Sequence, residues 1–232
     1  AAAAGGRALV AHTDDAGPVA SDLRVVKVPA ADHPEGALRP VYAPADGYPR
    51  LVDARRGAGY APRGGQTESE PLGFIDEVSH TYAYWDQAYA VVNEEGVAIA
   101  ESSTGGRWGA AAAGQGGAAL LGMYELSKLG LERCDSARCA CATMGALAEA
   151  HGFYGDTVTL DDAGEALIVG DREELWVFHV LPDPTGTSAL WAAQRVPEGH
   201  VVVIANDFVI QEIDFSPGAP DFLYSPNLRA VA

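Results

Sequence analysis

The sequence predicts an α+β fold in which a pair of helices packs on antiparallel strands. Residues 120–150 contain apolar side chains at helical spacing, among them Met144, Leu147 and Ala148, and Gly152 follows as a stop signal. Residues 165–206 contain four apolar runs separated by short turns, and such turns join antiparallel neighbours. A chain of 232 residues can bury a sizeable core as one domain.

The individual elements are predicted from local patterns. Two helices are expected at 120–132 and from Asp135 or Ser136 to Ala150, since either side chain can cap the second helix. The Gly- and Ala-rich stretch at 105–119 is predicted to be a flexible or loosely packed connection. Residues 44–65 are rich in Pro, Gly and Arg and are predicted to form a long connection. A loop of this length is either functional or wraps a surface. Strands are expected at 7–12, 22–29, 88–92, 97–101, 165–170, 174–180, 188–196 and 200–206, with a turn at 93–96.

The charge balance restricts the classes of partner. The chain carries 15 Lys and Arg against 32 Asp and Glu, a formal net charge of −17. Nucleic acid and anionic membrane surfaces are therefore not expected as partners, because phosphate contacts need basic side chains. No run of 18 apolar residues occurs, so no membrane span is predicted. The acidity suits a monomer or a small homo-oligomer, and the compartment stays open.

All three cysteines lie in CDSARCAC, Cys134 to Cys141. A zinc site would need a second pair or histidines at set spacing, and a nucleophile would need a base and an exposed, electropositive setting. Cys141 falls on the apolar face of the second helix, where cysteine behaves as a small hydrophobe. The stretch is therefore interpreted as the start of a packed helix, with no metal or cofactor expected.

Several long segments resemble one family in collinear order. They are GRALVAHTDDAG, HTYAYWDQAYAVVNEEGVAIAESS, MGALAEAHGFYG, the run from GEALIVG to VIANDF, and DFLYSPN. They are similar to the cysteine dipeptidases that include bacterial dipeptidase A and the secernins. The resemblance implies an N-terminal nucleophile hydrolase fold, an αββα sandwich of antiparallel sheets, here expected to be one domain over 1–232 and incomplete at both ends.

The resemblance also implies a reaction. The first residue of the mature chain, a cysteine, attacks the amide carbonyl of a dipeptide, and its own α-amino group serves as general base. That amino group has a reference pKa of about 7.7–8.0, close to working pH. The chain begins with Ala1, and no cysteine stands at this place. The expectation is that an encoded cysteine lies just upstream and that the chain continues beyond Ala232.

Three supporting site residues follow from the family match. Asp15 matches the acid that holds the N-terminal amine, and the alternative is an Asx-turn residue that ends a strand. Asn206 matches an asparagine at the reacting centre, whose amide could donate to the oxyanion. Ser103 falls where acylase relatives place an oxyanion-hole asparagine, and a loop serine fits equally well.

The predicted function is a cysteine-type dipeptidase that hydrolyses small dipeptides without a cofactor. The alternative is a catalytically inactive relative that serves as a structural or interaction subunit.

Overall fold

The computed structural model describes residues 8–13, 22–45, 48–87, 89–155, 160 and 163–231, and it confirms the α+β prediction. The helices are α1 (Met123–Arg133) and α2 (Ala137–His151). The strands are β1 (Val26–Val28), β2 (Ala31–Asp32), β3 (Leu38–Val41), β4 (Gly73–Asp76), β5 (His80–Thr81), β6 (Tyr84–Asp86), β7 (Ala90–Asn93), β8 (Ala98–Thr104), β9 (Gly164–Gly170), β10 (Leu175–Pro182), β11 (Ala189–Arg195) and β12 (Phe222–Tyr224).

One antiparallel sheet organises the chain. Its eight strands lie in the order β1-β6-β7-β8-β9-β10-β11-β12, and β2-β5 and β3-β4 form two small ribbons beside it. The predicted meander is confirmed over β9 to β11, where Trp176 pairs with Val169 on one side and with Arg195 on the other. The connection between β8 and β9 contains both helices.

The helices cover one face of the sheet, which is called the helix face below. Trp176, Phe178 and Val180 alternate along β10 and are fully buried with Met144 of α2 in one core cluster. The ring of Trp191 lies beside Gly145 of α2, at a position where a Cβ atom would not fit. This close approach brings α2 onto β11, and Phe178 stacks on Trp191 with ring centroids 5.6 Å apart.

Two irregular segments cover the opposite face of the sheet, which is called the second face. Val10 packs on the backbone of Gly170, where an added Cβ atom would lie 2.8 Å from the Val10 Cγ2 atom. The ring of Phe208 lies 4.8 Å from that of His179 in β10. The backbone N–H of Val209 donates to His179 Nε2 at 3.3 Å. Residues 8–13 and 207–210 thus bury side chains of the sheet that the helices leave uncovered.

The strand predicted at 200–206 is wrong. These residues make no ladder pairing, and Val201 and Val203 are 72% and 75% exposed. The position beside β11 is taken by β12, whose Tyr224 pairs with Ala192. Apolar, β-branched composition predicts a strand, but only one segment can pair with each edge of β11.

Burial adds detail to two further sequence-based interpretations. The Gly- and Ala-rich connection is only partly packed, since Ala112 and Ala119 are buried and form an isolated bridge whereas residues 114–118 between them are exposed. Asn93 opens the predicted turn, since its carbonyl accepts from the N–H of Gly96 at 3.1 Å, and it is also the buried last residue of β7. Its amide donates to the carbonyls of Leu131 and Cys134 and accepts from the N–H of Val97, so it ties the β7–β8 turn to the end of α1.

A buried ionic cluster joins ribbon β3-β4 to helix α1. It consists of Arg39, Arg56, Glu125 and Glu132. Arg39 donates to both carboxylate oxygens of Glu132 at 2.9 Å and also pairs with Glu125. Arg56 donates to Glu125 at 2.6 Å. Arg39 and Arg56 therefore attach their two segments to helix α1 through buried charge pairs.

A disulfide between Cys134 and Cys139 crosses the turn between the two helices, with the Cα atoms 5.5 Å apart. The helix start predicted for CDSARCAC is confirmed, because Ser136 is the N-cap and α2 begins at Ala137, but the pairing was not foreseen. Asp171, rather than the Ser136 side chain, accepts from the N–H of Ala137 at 2.7 Å.

We expect a thiol reductant to lower the free energy of unfolding, because the bridge restricts the unfolded chain. The loss should be only about 2 kcal/mol, because the stabilisation grows with loop length and this loop is short. The sequence separation of the two cysteines is 5. Urea unfolding with and without reductant measures the difference. The double variant Cys134→Ser/Cys139→Ser is the control and should not respond to reductant. An equal response in that variant would mean that the bridge is not the cause.

Candidate active site

A cleft opens on the second face of the sheet, over β7 and β8. Its free volume is about 390 Å³, and its floor contains Val92, Ala98 and Ala100. His12 and Gln87 lie at its margin, and both are half-buried. The floor is apolar and the margin is polar, which is the composition typical of sites that hold small molecules.

The cleft runs along β8 towards Asn206. Side chains on one face of a strand recur every second residue, about 7 Å apart. Ala98 and Ala100 line the cleft, and Ser102 is the next residue of β8 on the same face. The Oγ atom of Ser102 accepts a hydrogen bond from the backbone N–H of Asn206 at 2.9 Å. The asparagine therefore lies about one strand repeat beyond the cleft floor.

The backbone of Asn206 adopts a left-handed conformation with a φ of 54°. Asparagine is among the residues that tolerate this region. Its side-chain Nδ2 donates to the carbonyl of Ser103 at 2.9 Å. The amide has two N–H groups. One is engaged by Ser103, and the other can donate to a group bound beside the exposed face of Asn206.

The structure places two of the three predicted site residues together. Asn206 contacts both Ser102 and Ser103, but it is Ser102 whose hydroxyl makes the contact, while Ser103 contributes its carbonyl. Ser103 lies opposite Glu165 in the register of β8 and β9, and alternation directs its side chain towards the helix face. Asp15 lies outside the described residues.

Sequence reasoning missed Ser102 and Gln87 as site residues. Period-two alternation in β8 could have assigned Ser102 to the face of Ala98 and Ala100. Nothing in the local pattern marks Gln87, because its position at the cleft margin depends on how residues 8–13 fold back over β8.

The described cysteines lie away from this cleft, on the helix side of the sheet. Cys134 and Cys139 are paired with each other. Cys141 is fully buried, and burial raises the pKa of its thiol well above the ordinary value, which keeps it protonated. Among residues with a described position, no group of three His, Cys, Asp or Glu side chains could hold a metal ion.

Comparison with known families decides the assignment. The model of peptidase family C69 matches residues 68–232, which is more than half of the chain. The chain belongs to peptidase family C69. This is the cysteine dipeptidase family with dipeptidase A- and secernin-like members, so the resemblance seen in the sequence is confirmed. The α+β architecture with antiparallel sheets is consistent with its N-terminal nucleophile hydrolase type of fold.

Family C69 membership supports peptidase activity and a peptide substrate for this chain. The matched residues include Asn206 and the two strands, β7 and β8, that form the floor of the cleft. His12 lies before the first matched residue. In the described parts of the chain, neither helix has the length and apolar character needed to cross a membrane.

Proposed function

We propose that the chain forms the substrate-binding body of a cysteine-type dipeptidase. The observation that carries this proposal is the arrangement along β8, where an apolar-floored cleft lies beside the available amide N–H of Asn206. A peptide backbone in the cleft could then extend towards that amide. Two extended residues span about 7 Å, which is close to the spacing between Ala100 and Ser102 along the strand.

In the proposed reaction an N-terminal cysteine thiol attacks the scissile carbonyl carbon, and the α-amino group of the same residue takes the thiol proton. The carbonyl oxygen gains negative charge, and Asn206 donates its remaining N–H to it. The C–N bond breaks, the leaving amine receives the proton, and water then hydrolyses the thioester. Asp15 is proposed to orient the α-amino group, and Ser103 to hold Asn206 through its carbonyl.

The nucleophile is proposed to be a cysteine encoded before Ala1. The three cysteines of the sequence support this proposal indirectly, because none of them offers a reactive thiolate. Two are joined in a disulfide, and burial keeps the thiol of the third protonated. The alternative is a catalytically inactive relative with a binding role, and the same observation favours it. The two differ in one respect, since only the first gains activity when the encoded upstream segment is present.

Hydrolysis of a dipeptide panel tests the proposal. We expect no turnover by the 232-residue chain and thiol-sensitive turnover by the protein that carries the encoded upstream residues. Thiol-sensitive turnover by the 232-residue chain would instead assign the nucleophile to Cys134, Cys139 or Cys141. Absence of activity in the extended protein would leave the inactive relative as the better description.

Replacing Asn206 with glycine should lower kcat of the extended protein about 100- to 1000-fold with a smaller change in KM, because an oxyanion donor acts mainly in the transition state. Glycine accepts the left-handed backbone of this position, so the variant removes the amide without adding strain. Gln211→Ala removes an exposed amide five residues further along the chain and is the matched control. Equal kcat in the Asn206→Gly variant and the parent would exclude the oxyanion role.

A further inference from the structure

A small pocket adjoins the cleft, and Gln87 lines both. Its free volume is about 30 Å³, and Arg50, Tyr60, Tyr124 and Lys128 are among its lining residues. Since one water needs about 10–15 Å³ of such space, the pocket can hold about two water molecules or the two oxygens of a carboxylate. It is too small for a further amino-acid residue.

Aromatic rings connect the cleft to this pocket. His12, at the cleft margin, meets the Tyr89 ring edge-on at a centroid distance of 6.2 Å. Tyr89 stacks on Tyr124 at 4.7 Å, and the guanidinium carbon of Arg50 lies 4.5 Å from the centre of the Tyr124 ring. Arg50 Nη1 also donates to the Tyr124 hydroxyl at 2.7 Å. The rings thus form a wall along which a bound peptide would pass towards Arg50.

Arg50 is the cation of this pocket that remains available to a ligand. Among the described residues its guanidinium contacts the ring and hydroxyl of Tyr124 and the carbonyl of Ala45, and no carboxylate is among these contacts. Lys128, by contrast, pairs with Asp86 at 3.3 Å. In a chain of net charge −17, a half-buried arginine that pairs with no described carboxylate is a candidate anion-binding group.

The acids of the pocket are already neutralised. Asp22 pairs with Arg24 and accepts from the backbone N–H of Arg50, rather than from its guanidinium. Glu125 is held by Arg39 and Arg56 in the buried ionic cluster. An incoming carboxylate would therefore meet the positive charge of Arg50 without competition from the two acids that line the described part of the pocket.

We propose that Arg50 binds the free α-carboxylate of a short peptide, so that the pocket fixes where the substrate ends. The proposal rests on the peptidase function proposed above. It gives a chemical reason why such a peptidase would act on short peptides. Arginine presents donors in a fork that matches a carboxylate, and such charge-assisted bonds are among the strong ones. A longer peptide would need to place another residue where the pocket has room for about one carboxylate.

Titration of the 232-residue chain with alanyl-alanine and with alanyl-alanine amide tests the proposal by binding alone. The free dipeptide should bind about 10- to 100-fold more tightly than the amide, which lacks the carboxylate. Arg50→Gln should remove this difference, and Arg50→Lys should retain part of it. Arg138→Gln is the matched control, since Arg138 also lies over an aromatic ring, that of Trp176, and donates to a carbonyl.

The outcomes separate this inference from the proposed function. Equal binding of the two probes to the unaltered chain, or a preference that survives in Arg50→Gln, would overturn the role of Arg50 and leave the peptide cleft intact. Binding of neither probe, together with no turnover by the extended protein, would overturn the peptide site and the role of Arg50 with it.

Discussion

Replacing Glu125 with glutamine should lower the free energy of unfolding by about 3–5 kcal/mol, which is the usual cost of removing one partner from a buried ion pair. Glu125 is 2% exposed, and its carboxylate holds both Arg39 and Arg56, which are 4% and 8% exposed. Burial by itself would raise the pKa of Glu125, but the two guanidinium groups lower it to about 2. Glutamine preserves the shape of the side chain and leaves both arginines short of negative charge.

Urea unfolding at neutral pH measures this effect. The matched control is Glu95→Gln in the exposed turn between β7 and β8, which should change stability by less than about 0.5 kcal/mol. A loss below about 1 kcal/mol in Glu125→Gln would mean that the arginines find other partners or water. The same measurement on Arg56→Met would then show whether removing an arginine of the buried ionic cluster lowers the free energy of unfolding.

Acid should weaken the attachment of residues 207–210 to the sheet through His179. The side chain is 6% exposed, and its Nε2 atom accepts from the N–H of Val209, which requires a neutral ring. Burial lowers the pKa of His179 to about 4, although the nearby Asp207 acts in the opposite direction. In the unfolded chain the pKa of a histidine is about 6.5.

These two pKa values determine how the contribution of His179 to stability changes with pH. Above about pH 6.5 the ring is neutral in both states, and its contribution to stability is fully present. Between about pH 6.5 and pH 4 the unfolded chain binds the proton more readily, so stability falls as the pH falls. The loss approaches about 3 kcal/mol below pH 4, at 1.36 kcal/mol for each pKa unit.

The pH dependence of unfolding in His179→Gln isolates this contribution. Glutamine can accept the Val209 hydrogen bond and does not titrate, so the difference between the two stability curves should appear between pH 6.5 and 4. His200→Gln removes an exposed imidazole and should leave the curve of the parent unchanged. A parent and a His179→Gln variant with parallel curves would show that the histidine is not the acid-sensitive group.

Residue spacing and turn composition predicted those elements of the fold that depend on neighbouring residues in the sequence. Helix α2 begins after Ser136 as expected, because its apolar spacing and cap position lie within a few residues of one another. The meander from β9 to β11 follows from short turns. Residues 200–206 carry the same apolar signal, but their strand was not formed because β12, a segment further along the chain, pairs with β11 instead.

The candidate site depends on contacts between distant residues. The family match indicated Asn206, yet its environment consists of Ser102 and Ser103, about a hundred residues earlier in the chain. Arg50 lies in a Pro- and Gly-rich connection whose composition gives no indication of Tyr124 or Gln87 as neighbours. No spacing rule along the sequence links these positions, since Arg50 reaches the Tyr124 ring of helix α1 only in the folded chain.

The sequence by itself determined the α+β class, the helix pair, the antiparallel meander and membership of peptidase family C69, because each depends on periodicity or on long collinear segments. The tertiary structure decided the rest: which segment pairs with β11, which cysteines are joined, which serine contacts Asn206 and which arginine lies in the pocket beside Tyr124. These are outcomes of competition among distant groups for the same edges, cavities and charges, and the competition is settled only when the chain packs.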